Sequence, residues 1–392
     1  MLRNIFIAGT KRTAFGALMG SLSSQTAAQL GGTAIKASLE KAGVEGDQVD
    51  EVVMGNVISA GGGQGIGRQA SLAAGIPSRV PCFTVNKLCG SSIQTVITAS
   101  QAIQCGDVAL VIAGGTESMS NAPYLLPKAR AGYRLGDGKL VDAMIRDGLS
   151  DAYSGKHMGI CAEMGAAKYS ISRDAQDEFA VESYVRARKA QDEGILAEMI
   201  APVEIRNRKG TVAVDQDEDV LKFNQDKLRK LRPAFDESGT ITAGNASNID
   251  DGAAAMVVCS EEKAQALNIP VEARILGYAP AAAEPEWFTT APVAALRSLQ
   301  EKLNLKVADV DIWEINEAFA LVPMLAMQEL GIPHEKVNIY GGAVALGHPI
   351  GASGARIIGT AIRALHRTGG KIGVATACIG GGEALAIAVE RC

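Results

Sequence analysis

Asn86-Lys87-Leu88-Cys89-Gly90-Ser91-Ser92, continued by Ile93-Gln94-Thr95-Val96-Ile97-Thr98-Ala99-Ser100-Gln101-Ala102-Ile103, is the stretch on which the reading of this chain turns. No charged residue occurs between Leu88 and Gly106, and small and apolar side chains dominate. That composition predicts a buried helix leading into a strand over residues 108–113. Cys89 then stands at or just before the helix N-terminus, where unpaired N–H groups and the helix dipole favour negative charge. A thiolate at such a position is expected to have a lowered pKa and to be the nucleophilic form. The alternative is a buried, inert structural cysteine.

Working outward, the chain of 392 residues is long enough for two or three domains. A hydrophobic content of 47% with 21% charged residues describes a soluble globular protein, not a disordered one. The formal net charge of −5 argues against nucleic acid as the main partner. Residues 1–7 are too short an apolar run for a signal peptide and read as a strand. No stretch approaches the roughly 18 apolar residues of a membrane span, so a cytoplasmic protein without a membrane partner is expected. Seven cysteines without a CxxC pair and four scattered histidines make a zinc site or a disulfide framework improbable.

The first half reads as strand 5–8, helix 26–42, strand 49–54, the Cys89 helix and strand 108–113. The second half repeats that grammar: helix 293–303, strand 310–315, helix 354–367 and strand 372–377. Cys89-Gly90-Ser91-Ser92 lies opposite Ala352-Ser353-Gly354-Ala355 in this alignment of halves. Apolar strands between helices imply buried, largely parallel sheets with ligand crevices at strand ends and helix N-termini. Cys378-Ile379-Gly380-Gly381-Gly382 passes directly into a final strand, 384–389, whereas its counterpart in the first half, 253–258, comes only after a long excursion. Residues near 119–249 therefore read as an insertion, with a helix over 173–193 and five basic residues between Lys222 and Arg232. The expected units are 1–118 with 250–268, the insertion 119–249, and 269–392.

The far end of the chain carries Gly341-Gly342-Ala343-Val344-Ala345-Leu346-Gly347-His348-Pro349-Ile350-Gly351-Ala352-Ser353-Gly354-Ala355-Arg356 and then Ala375-Thr376-Ala377-Cys378-Ile379-Gly380-Gly381-Gly382. With the Cys89 stretch and Asn316-Glu317-Ala318-Phe319, these motifs resemble the thiolase family from end to end, and most of all its acetyl-CoA acetyltransferase branch. The resemblance implies an α/β fold of two similar halves with stacked mixed sheets, layered αβαβα, and an inserted loop domain that holds coenzyme A. It implies condensation of two acetyl-CoA to acetoacetyl-CoA and free CoA, with no cofactor beyond these thioesters. Cys89 would be the nucleophile, His348 its activator, Cys378 the acid/base, and Asn316 and Gly380 members of the oxyanion holes. A homo-oligomer, in particular a homotetramer, is also implied.

For substrate contacts the resemblance implies Leu149, His157 and Met158 on the pantetheine side, and Leu231, Phe235 and Ala243 in the pocket wall. Ser247 would bond a pantetheine amide, while Phe288, Ala318 and Phe319 would bound the acyl site. Lys222 is the candidate at the nucleotide end, where some members carry an arginine that this chain lacks. Phe288 resembles the potassium-responsive mitochondrial branch, whose ion site Tyr184, Ala243, Gly244, Ala246 and Val344 match loosely.

The residues also speak independently of the resemblance. A cysteine thiolate can attack an acyl-thioester, and His348, set among glycines, can take the thiol proton. A thioester α-proton is weakly acidic, so an enolate needs preorganised donors such as Asn316. Gly61-Gly62-Gly63-Gln64-Gly65-Ile66-Gly67 lacks the spacing of a dinucleotide fingerprint. A ketoacyl synthase would need a histidine where Asn316 stands. A noncatalytic acyl-CoA-binding protein would not need Cys89, His348 and Cys378 together. A degradative 3-ketoacyl-CoA thiolase of broader chain length is the nearest alternative.

Overall fold

The computed structural model describes residues 3–208 and 210–392. The strand expected over residues 1–7 begins at Ile5, and its first two residues lie outside the described ones. In chain order the principal elements of the first half are β1 (Ile5–Thr13), α1 (Ala27–Ala42), β2 (Glu51–Gly55), α2 (Ile66–Ala73), β3 (Cys82–Val85), α3 (Ser91–Cys105) and β4 (Leu110–Ser118). The excursion that follows contains α4 (Met158–Lys168) and α5 (Arg173–Asp192). Then come β5 (Asp250–Ser260), β6 (Val271–Ala282), α6 (Ala291–Leu303), β7 (Ile312–Ile315), α7 (Leu321–Leu330), α8 (Ser353–Thr368), β8 (Ile372–Ile379) and β9 (Glu383–Arg391).

Local chemistry sets the ends of these helices. Thr26 caps α1 in a reciprocal box with Gln29, and Gly43 closes it in the left-handed conformation. The uncharged α3 ends the same way at Gly106. Every residue of β4 and of β5 is buried: residues 110–116 and 252–260 are small or apolar, while Glu117, Asp250 and Asp251 are buried carboxylates at the strand ends.

The strands run β3-β2-β4-β5-β1-β6-β9-β8-β7 in one eleven-stranded sheet, completed by the short strands Gly16–Ala17 and Ile200–Ala201. Within each half the pattern is the same: β2 and β4 are parallel and β4 meets β5 antiparallel, just as β7 and β8 are parallel and β8 meets β9 antiparallel. The two half-sheets join edge to edge where β1 pairs antiparallel with β6, Phe6 opposite Arg274 and Ile7 opposite Ala273. The α/β architecture with a mixed sheet expected from sequence is borne out, but the largely parallel pairing is not: five of the eight neighbour pairs along this path are antiparallel. α1 covers one half-sheet and α6 the other, while α3 and α8 pack on each other and on strands of both halves.

That central pair of helices brings the halves together at their N-termini. The Ala355 N–H donates to Ser92 Oγ at 2.9 Å, and a Cβ on Gly354 would meet the Ile93 nitrogen at 2.6 Å. Gly115 makes room for the loop that follows His348, since a Cβ there would lie 1.9 Å from the Gly351 carbonyl oxygen. The segment between β4 and β5 is anchored to β1 by a buried bidentate pair, Arg12 to Asp217, with both bonds 2.7 Å.

Candidate active site

Cys89 sits in the turn between β3 and α3, one residue before the helix cap Gly90. The turn is strained: Leu88 has φ of 48°, a left-handed conformation uncommon for a leucine. Its amide donates to Asn86 Oδ1, and its carbonyl accepts from the Ser91 hydroxyl at 2.6 Å. Cys378 is the penultimate residue of β8, fully buried and paired with Ala384 across the tight Gly380–Gly382 turn. Asn316 follows β7 directly, and its N–H continues the ladder to the Thr376 carbonyl at 2.9 Å. His348 lies on the loop before α8, its backbone N–H bound to the Asn248 carbonyl at 3.1 Å. The four side chains come from four separate strand ends and loops, Cys89 from the first half and the other three from the second.

They converge. Asn316 Nδ2 is 3.4 Å from His348 Nε2, and His348 Nδ1 is 2.6 Å from Ser353 Oγ. The Gly380 and Cys89 N–H groups face the Cys89 sulfur, and Cys378 is close enough for Cys89 to oppose its ionisation. Cys89, His348 and Gly380 line a cleft of about 180 Å³ together with Leu149, His157, Met158, Phe235, Ser247, Phe288, Ala318 and Phe319. Asn316 and Cys378 are fully buried and are not among its lining residues. No charged side chain lines the cleft among the described residues. Its aromatic end is a chain of ring contacts: His157 stacks on Phe235 at 4.8 Å, and Phe319 meets Phe235 and Phe288 edge-on at 6.3 and 6.2 Å.

The electrostatics correct one expectation. Burial pushes the Cys89 thiol up to about 11, against the pull of the Gly380 and Cys89 N–H groups, and nearby Glu117 adds to the rise. Burial likewise lowers His348 to about 3, helped by the Arg356 charge. Desolvation in a cleft without counter-charge outweighs the helix N-terminus here. The resting pair is therefore a neutral thiol beside a neutral imidazole, not a thiolate beside an imidazolium. An expected consequence is that inactivation of the substrate-free enzyme by iodoacetamide accelerates about tenfold per pH unit between pH 7 and 9, following the thiolate fraction. A rate already flat above pH 6 would mean a preformed ion pair and would contradict this assignment.

The structure also adds residues that sequence reasoning missed. Glu117, buried at the end of β4, accepts from the Val57, Ile58 and Gly351 N–H groups at 3.0, 3.0 and 2.9 Å and from Asn56 Nδ2 at 2.9 Å. It thus ties the loop after β2 to the His348 loop. Burial raises it to about 7 against those donors. A lone carboxylate closing an otherwise uncharged strand, Leu110 to Thr116, was the signal that could have found it. Met119, Asn248, Ile249 and Ile350 also line the cleft.

Some expected contacts are not in this cleft. Lys222, Leu231, Ala243, Gly244 and Tyr184 line a neighbouring cleft of about 230 Å³ that shares Asn248 with the first. Lys222 is engaged there by Glu218 at 2.8 Å and Asp219 at 3.4 Å. Of the residues matched to an ion site, Ala246 faces the first cleft. The Tyr184 hydroxyl and the Val344 carbonyl both accept from Asn248 Nδ2, at 3.2 and 3.4 Å. No cluster of three or more His, Cys, Asp or Glu suited to a metal occurs among the described residues.

Two half-domains of one topology, with paired cysteines, a histidine and an asparagine meeting between them, define the class. The thiolase N-terminal domain family matches residues 5–262 and the thiolase C-terminal domain family residues 269–391. The chain belongs to the thiolase family. It is 50% identical to acetyl-CoA acetyltransferase 2 of Arabidopsis thaliana over 99% of this chain and 97% of that one. It is 48% identical to the acetyl-CoA acetyltransferase of Escherichia coli over the full length of both. Among solved structures, the Bacillus anthracis acetyl-CoA acetyltransferase superposes with a TM-score of 0.97 at 38% identity, covering 100% of this chain and 99% of that one. The Ascaris suum Acat5 thiolase in complex with coenzyme A gives 0.95 at 40% identity, covering both chains in full.

Proposed function

We propose that this acyltransferase is an acetyl-CoA C-acetyltransferase, condensing two acetyl-CoA reversibly to acetoacetyl-CoA and CoA through an acetyl-Cys89 intermediate. The observation that carries the reading is the meeting of Cys89, Cys378, His348 and Asn316 beside an uncharged cleft closed by aromatic rings. In the first half-reaction the Cys89 sulfur attacks the thioester carbonyl while its proton passes to His348 Nε2. The carbonyl oxygen takes up negative charge among backbone donors that include Gly380 N–H. The C–S bond to CoA breaks and the departing thiolate takes the proton from His348.

The second half-reaction begins with the Cys378 proton transferred to His348, so that Nε2–H and Asn316 Nδ2 are both donors. The Cys378 thiolate removes an α-proton from the second acetyl-CoA, and the enolate oxygen is held by those donors. Its carbon attacks the acetyl carbonyl. As the C–C bond forms, the bond to Cys89 breaks, and the Cys89 thiolate recovers the proton from His348. Burial raises the Cys378 thiol well above its ordinary value, which makes its thiolate a correspondingly stronger base.

CoA is read as lying along the cleft, with the pantetheine arm against Leu149, His157, Met158, Phe235 and Ser247. The nucleotide end then reaches the neighbouring cleft of Leu231 and Ala243. Lys222, already held by two carboxylates, is the least available of these contacts. We carry forward the division into 1–118 with 250–268, an insertion 119–249 and 269–392, and a cytoplasmic homotetramer. Leu126, Leu135 and Leu140 in the insertion are exposed apolar surface that such an assembly would cover.

A degradative enzyme accepting longer chains is the competing reading, and the rings favour the short-chain one. Phe288 and Phe319 are buried, meet edge-on and line the cleft that Cys89 also lines. Overfilling a packed pocket costs about 1–3 kcal/mol, so kcat/KM for a C4 3-ketoacyl-CoA should exceed that for C12 by roughly tenfold or more. Phe288→Ala should narrow that ratio. Comparable wild-type values for C4 and C12 would favour the degradative reading.

A further inference from the structure

The first turn of α8 places two polar side chains against the residues read as holding the enolate oxygen. Ser353 Oγ lies 2.6 Å from His348 Nδ1 and 3.1 Å from the Pro349 carbonyl oxygen. Three residues on, Arg356 Nη2 lies 3.4 Å from Asn316 Oδ1, and its Nη1 lies 3.3 Å from Glu314 Oε2. Asn316 Nδ2 in turn approaches His348 Nε2. Arg356, Asn316, Ser353, His348 and Glu314 are all buried.

We propose that Arg356 is a positioning residue that sets the direction of a hydrogen-bond chain from Arg356 through Asn316, His348 and Ser353 to the Pro349 carbonyl, and with it the tautomer of His348. A guanidinium has donors and no acceptor, so the Asn316 amide must turn its oxygen towards Arg356 and its NH2 towards His348. The Nε2 it approaches can then only accept, and the single proton of the neutral ring sits on Nδ1. That Nδ1–H donates to Ser353 Oγ, whose own proton goes to the Pro349 carbonyl, which can only accept. Both ends of the chain are chemically one-directional. Reversing it would press the Asn316 NH2 against a guanidinium, donor against donor, a cost of unmade hydrogen bonds in a buried site.

The consequence for chemistry is specific. His348 presents an unprotonated Nε2, which takes the Cys89 proton as the long 3.4 Å contact from Asn316 gives way, and Asn316 keeps an amide proton for an oxyanion. An amide flipped the other way would place an oxygen where the enolate oxygen must sit. The rival account makes Arg356 no more than the buried counter-ion of Glu314. This inference uses the proposed acetyl transfer for its catalytic consequence, while the tautomer itself does not depend on which thioester is bound.

The test is nitrogen NMR of the substrate-free full-length enzyme carrying 15N-histidine, with the His348 signals assigned by their loss in His348→Asn. The expected result at neutral pH is one tautomer, protonated on Nδ1 and unprotonated on Nε2. In the double variant Arg356→Gln with Glu314→Gln, whose new amide can face either way, the two ring nitrogens should show mixed protonation. Acetyl transfer to Cys89 should fall by about 10²-fold with KM for acetyl-CoA changed less than threefold. Glu314→Gln alone should stay within threefold of wild type. A wild-type His348 protonated on Nε2 overturns the proposal, and this measurement decides even if the double variant does not fold. A folded double variant with the wild-type tautomer and rate overturns it as well. The tautomer as stated in an enzyme that does not condense acetyl-CoA would leave this inference standing and remove the proposed function instead.

Discussion

Cys89→Ala is expected to remove turnover and covalent labelling together. After incubation with acetyl-CoA, the wild-type chain should gain the mass of one acetyl group, mapped to the peptide containing Cys89, while the variant gains nothing. The loss in turnover should be roughly 10⁴-fold or more, since no other group can replace the nucleophile in a step that forms a covalent intermediate. The geometry leaves one rival thiol, Cys378, which is fully buried and close to Cys89. An acetyl adduct that persists on the variant would transfer the nucleophile's role to that residue and sink the assignment. Cys89 is half-buried and Ala removes only its sulfur, so the substitution should leave the fold intact.

Cys378→Ala should separate the two half-reactions. Acetylation of Cys89 needs the nucleophile, His348 and the oxyanion donors, all of which remain. A burst of CoA on mixing with acetyl-CoA should therefore survive at a measurable rate. Condensation, and loss of deuterium from trideuterated acetyl-CoA, should fall by the roughly 10²–10⁴-fold that a general base contributes. The raised pKa of the buried Cys378 thiol sharpens this expectation, because a strongly basic thiolate is useful for α-proton removal and of no use to a leaving group already served by His348. Equal loss of burst and exchange in a folded variant would mean that Cys378 acts in the first step, protonating the departing CoA.

The Cys89 stretch, the two glycine-flanked motifs near the C-terminus and Asn316 were legible because each is a continuous run whose local structure follows from its own composition. The uncharged segment after Cys89 does form α3, and the duplicated grammar of the halves reappears strand for strand. Less legible were side chains whose partners lie far along the chain. Glu117 holds Gly351 across 234 positions, and Arg356 reaches Asn316 across 40. Nothing in the immediate sequence around either residue announces its partner. The placement of Lys222 illustrates the reverse: the resemblance made it the candidate at the nucleotide end, but Glu218 and Asp219 on the same turn hold it.

By itself the sequence determined the family, the repeated α/β halves and the four residue types that carry the chemistry, because hydrophobic period and motif spacing are local properties of the chain. Tertiary structure alone decided the protonation states and the orientations. Whether a thiol one residue from a helix N-terminus is charged depends on how much water the assembled halves leave around it, and here desolvation wins over the dipole. Which way the Asn316 amide points depends on a guanidinium delivered by a different helix. Both are sums over neighbours that only folding brings together, so no reading of residue order could supply them.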